Sequence, residues 1–94
     1  MGLFTTTSHY STHEHHLSGE NIRHILFDHL PEIKGEHKTL AYEAVHAKRG
    51  EDKKISLDQI HGVLQNLVVR QEIGENDKHE MMQEFEKFFK EHLS

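Results

Sequence analysis

Apolar residues recur at three- and four-residue intervals along most of the chain, and polar punctuation divides this pattern into four segments. The first, roughly 19–30, sets Ile22, Ile25, Leu26, His29 and Leu30 on one face. Pro31 ends it, because proline disfavours the helical conformation in the residue before it. The second, about 37–49, turns Leu40, Ala41, Ala44 and Val45 inward, and Gly50 is placed to act as a left-handed cap. The third, 56–73, carries the strongest signals. Ser56 and Gln59 have capping-box spacing, Asp58 suits the positive helix end, and Leu57, Ile60, Leu64, Leu67 and Val68 keep the 3.6-residue period. Gly74 reads as its stop. The fourth, 76–93, aligns Met81, Met82, Phe85, Phe88, Phe89 and Leu93, with Glu75, Asp77 and Glu80 early and Lys87, Lys90 and His92 late, as the helix dipole favours. No segment alternates with the period of a strand. Short connections between amphipathic helices predict an all-α fold, a small antiparallel bundle of about four helices.

Ahead of the helices, residues 1–16 are rich in Gly, Thr, Ser and His and poor in apolar residues, which predicts a mobile or loosely docked tail before a bundle domain at 17–94. Within it, Ser11-Thr12-His13-Glu14 has capping-box spacing and is a candidate start for a short helix.

Composition narrows the possibilities further. A chain of 94 residues with 34% hydrophobic and 29% charged residues builds one domain around one thin core, which partner binding or self-association would reinforce. Without cysteine there are no disulfides, thiolate metal sites or cysteine nucleophiles. The formal charge is −5 with the eleven histidines neutral, and protonating them all reverses its sign, so a pH-sensitive contact is one use for them. At neutral pH an acidic chain with no basic stripe argues against nucleic-acid binding. The apolar runs are too short to cross a bilayer, and no basic-then-apolar leader is visible, which predicts a cytoplasmic protein that does not use membranes. Met1-Gly2-Leu3-Phe4-Thr5-Thr6 matches a myristoylation pattern, but no polybasic patch supplies the second signal that stable anchoring needs.

Two sets of residues stand out as candidate sites. His9, His13, His15 and His16 cluster around Glu14; in a helix His9 and His13 would share a face, with His16 beside them. Imidazole nitrogens gathered in this way suit a divalent ion such as Zn or Ni, although histidine-rich tails also occur without metal. The dispersed histidines, His29 and His61 among them, fit hydrogen-bonded positions near the core. The second set is the Met/Phe face of the fourth segment with the end of the third: Met81, Phe85, Phe88, Phe89 and Val69. This face is wide for a single neighbour, so it is either a surface for a protein partner or a homodimer, or the whole core of a small bundle.

The stretch Gly50 to Ile60 resembles the loop and exit helix of an EF-hand, with Ile55 at the central apolar position and Ile60 just after the loop. The ligand chemistry departs from that family. Lys48 and Gln59 stand at the first and last ligand positions, and Lys53 replaces the turn glycine. The resemblance implies helix–loop–helix geometry without calcium. No strand–turn–helix nucleophile elbow, phosphate loop or distinctive acid–base pair is present. The expectation is a small non-enzymatic helical protein that acts through protein contact or self-association, with metal binding through the N-terminal histidines as the alternative.

Overall fold

The computed structural model describes residues 10–93. Its architecture is a small all-α bundle with one short two-stranded ladder. Helix α1 spans Gly19–Arg23 and continues into a π-helical turn over His24–Asp28. Helix α2 spans Gly35–Lys48, α3 Leu57–Val69, and α4 Glu75–Phe88, with a second π-helical turn over Phe89–Leu93. Each helix packs on its neighbour in the chain, and α4 also returns to the π turn of α1. A thin core thereby closes on itself around Leu17, Ile22, Leu26, Ile60, Leu64 and Phe85, all without exposed surface.

Local chemistry explains where the helices begin. The Ser18 hydroxyl accepts a hydrogen bond from the Asn21 amide at 3.0 Å and starts α1. Ser56 and Gln59 form the expected box: the Gln59 amide donates to the Ser56 hydroxyl, and the Ser56 amide donates to the Gln59 carboxamide oxygen. The end of α3 differs from expectation. It stops at Val69, because Gln71 adopts a left-handed conformation with φ of 64°. Gly74 is the N-cap of α4, where its amide donates to Asp77, and does not terminate α3. Ile73, between them, turns into the core.

The loop between α2 and α3 corrects a second expectation. Gly50 is not the left-handed residue; Lys53 is, with φ of 63°. Lys53 thus takes the conformation that the EF-hand resemblance assigns to a turn glycine. The loop closes on its own groups. The Lys53 amide donates to the Gly50 carbonyl, the Gly50 amide to the Lys54 carbonyl, and the Lys54 amide to the Asp52 carboxylate. Gln59 is committed to the helix cap, away from any ion position.

Two strands too short to show a period complete the fold. β1 is His15–His16 and β2 is Lys54–Ile55; they pair antiparallel, with His15 opposite Ile55 and His16 opposite Lys54. The Leu17 amide donates to the Lys53 carbonyl at 3.0 Å, and the Asp58 amide donates to the Ser11 carbonyl at 3.0 Å. Tyr10 stacks on His61 with ring centroids 4.9 Å apart. Residues 10–16 are therefore docked on the bundle. The expected helix start at Ser11 is not formed: its hydroxyl accepts from the His13 amide in a local turn instead.

Among the described residues one charged side chain is enclosed. Lys38 is 8% exposed, and its ammonium donates to the Leu30 carbonyl at 3.0 Å, satisfying a backbone acceptor that follows the last turn of α1.

Candidate functional site

The Met/Phe face lies mostly inside the molecule. Met81 and Phe85 have no exposed surface, and Phe89 is 6% exposed. α4 packs against both α3 and the π turn of α1, so a wide apolar stripe meets two neighbours. Phe88 is half-buried, its ring 4.7 Å from that of His92. Val69 alone of the five is exposed, at 68%, on the outer side of α3.

The N-terminal histidines are divided by the strand. Consecutive residues of β1 point to opposite sides. His15 is half-buried, stacked with His13 at 4.6 Å and edge-on to Phe89 at 5.7 Å; His16 is exposed. Stacked rings oppose their faces, whereas ligation needs nitrogen lone pairs aimed at one point. His9 and the Met1–Thr6 pattern lie outside the described residues. Among the described residues, no group of three His, Cys, Asp or Glu side chains stands ready to hold a metal ion.

A partly apolar concavity instead lies between α1 and α2. Phe27, 38% exposed, sits on the π turn, and Tyr42 rises from α2. Together with Glu20, Arg23, His24, Asp28, Thr39 and Glu43 they line a cleft of ≈ 570 Å³. The guanidinium of Arg23 stands 5.6 Å from the centre of the Tyr42 ring, and the ammonium of Lys38 lies 5.4 Å from that of Phe27. Both cations thus hold aromatic rings in place. The carboxylates of Glu20, Asp28 and Glu43 leave the rim acidic. No family model, curated protein or solved structure matches the chain. What it does must therefore be argued from its own surfaces.

Sequence periodicity missed this cleft. Phe27 falls off the apolar stripe of α1, and a single aromatic outside a stripe is an ordinary surface residue. The available signal was Phe27 and Tyr42 together, each an aromatic on the polar side of its own helix.

A second group of polar side chains begins at the edge of this cleft, sharing His24 and Asp28 with it. His24 Nδ1 lies 2.6 Å from the Asp28 carboxylate, and His24 Nε2 lies 3.1 Å from His29 Nε2. His29 Nδ1 faces the Glu84 carboxylate at 4.0 Å. Between α2 and α4, His37 Nδ1 lies 2.6 Å from Asp77, joining the N-terminal ends of the two helices. Of the two histidines expected near the core, His61 is half-buried under Tyr10 and His29 is exposed.

Proposed function

We propose that this is a non-enzymatic, cytoplasmic helical protein that binds a protein partner through the cleft between α1 and α2. The observation that supports it is the exposed Phe27 beside Tyr42 in an acid-rimmed concavity, in a molecule whose other large apolar side chains are largely withdrawn. Interface cores favour aromatic residues and arginine, and their rims are polar. The fitting occupant is a short partner segment that inserts an apolar side chain between Phe27 and Tyr42 and sets Lys or Arg against Glu20, Asp28 and Glu43. Among the described residues no helix is long and apolar enough to cross a membrane.

Selection from a displayed peptide library against the full chain tests this. The enriched peptides are expected to place an apolar residue next to Lys or Arg, and Phe27→Glu is expected to weaken their binding at least tenfold. Val69→Glu, an exposed change outside the cleft lining, leaves binding unchanged. Peptides without basic residues, or peptides that bind Phe27→Glu as well as the parent, would overturn the proposal. Light scattering on the same proteins identifies the homodimer version: a dimer that Phe27→Glu dissociates makes a second copy the occupant.

A further inference from the structure

Two residues five apart do not share a face of an α-helix; they lie about 140° apart around its axis. His24 and His29 nevertheless meet, because the segment between them is π-helical and its i→i+5 turn stacks one above the other. π-helical turns are rare, far below the frequency of α-helix, and they concentrate at functional sites. A second such turn, Phe89–Leu93, stands opposite. The two face one small cavity of ≈ 160 Å³, lined by His24 and His29 on one side and by Glu84, Lys87, Glu91 and His92 on the other.

The hydrogen bonds around the pair have the form of a ligand site. An ionised carboxylate only accepts, so Asp28 fixes a proton on His24 Nδ1 and leaves Nε2 with a free lone pair. Without an ion, the Nε2–H tautomer of His29 donates to that lone pair across 3.1 Å. In the other tautomer the His29 proton moves to Nδ1, towards Glu84, and both Nε2 lone pairs then face the same point. Two nitrogens bound at the Zn–N distance in a tetrahedron stand about 3.3 Å apart, close to the separation already present. Carboxylates behind the outer imidazole nitrogens orient histidine ligands in this manner. Both rings are about half exposed, so an ion reaches them without opening the fold.

We propose that His24 and His29 form a binding site for a divalent transition-metal ion of the zinc class, held by the two Nε2 atoms and oriented by Asp28 and Glu84. The remaining coordination positions open to the cavity and take solvent. This site is separate from the N-terminal histidines; it shares His24 and Asp28 with the edge of the partner cleft, but neither Phe27 nor Tyr42 takes part in it.

Calorimetry of the full chain with zinc chloride, and separately with nickel chloride, tests it. One saturable site per chain is expected for at least one of the two ions. His24→Ala and His29→Ala should each weaken it at least tenfold, and Asp28→Ala roughly tenfold to a hundredfold. Joint replacement of His9, His13, His15 and His16 by alanine should change it less than twofold. Nitrogen-15 spectra of the imidazoles should show the metal on Nε2 of both rings, a signature that a purely structural role would not produce. All three substituted side chains of the site are exposed, and circular dichroism verifies that the variants fold. Failure of both ions to saturate, or binding that survives His24→Ala and His29→Ala, overturns the proposal.

Discussion

Two groups of histidines lie on this small molecule, and they show opposite relations between sequence and space. His13, His15 and His16 are crowded along the chain, yet the extended backbone of β1 turns neighbours to opposite sides and stacking sets two rings face to face. His24 and His29 are five residues apart, at a spacing that an α-helix would keep separate, and a π-helical turn brings their Nε2 atoms to 3.1 Å. Proximity in sequence is thus a poor guide to a ligand set. The backbone conformation between the residues decides whether their nitrogens converge.

The two groups are supported by different parts of the bundle, so substitutions can loosen one support at a time. The largest effect is expected for Phe85→Ala. This side chain is fully buried in α4, the helix against which the π turn packs. Truncating it should remove about 3–5 kcal/mol of stability in urea unfolding. A loss below about 1 kcal/mol would instead return the Met/Phe face to the list of free surfaces. Ser56→Ala acts on the strand side, deleting the hydroxyl that accepts the Gln59 amide where β2 enters α3. It should cost about 1 kcal/mol by the same measurement. Lys53→Gly has the smallest expected effect and the opposite sign. Glycine relieves the left-handed conformation that a side chain disfavours, less its own larger entropy loss, for a gain of about 0.5 kcal/mol. A loss of stability here would show that the Lys53 side chain contributes more to the loop than its backbone strain removes.

Much of the bundle was legible from sequence because its signals were redundant. In α3 the capping box, the acidic first turn and the apolar period all specify the same helix. The features that escaped were those with no residue-level signature. Gln71 is an ordinary polar residue in a left-handed conformation, and Gly74 fits a helix stop as well as a helix start, so the end of α3 was misplaced by four residues' reach towards Ile73. A two-residue strand such as His15–His16 is too short to alternate. The π turn of α1 left Ile22, Ile25 and Leu26 in a spacing that also suits an α-helix, which concealed the meeting of His24 with His29. The cleft was obscured for a related reason. Phe27 and Tyr42 sit 15 positions apart on separate helices, and only the packing of α1 on α2 joins them.

The enclosed ammonium of Lys38 has a practical consequence. Amine-reactive reagents attack only an accessible, deprotonated amine, and this one is sheltered where α2 meets the end of α1, bonded to the Leu30 carbonyl. The exposed lysines will react first, ahead of Lys38 and of Lys78, whose side chain is 16% exposed and bonded to Gln65 and Glu75. The delay of Lys38 in a labelling time course, followed by peptide mass spectrometry, is a built-in clock for the opening of that corner in the unaltered protein.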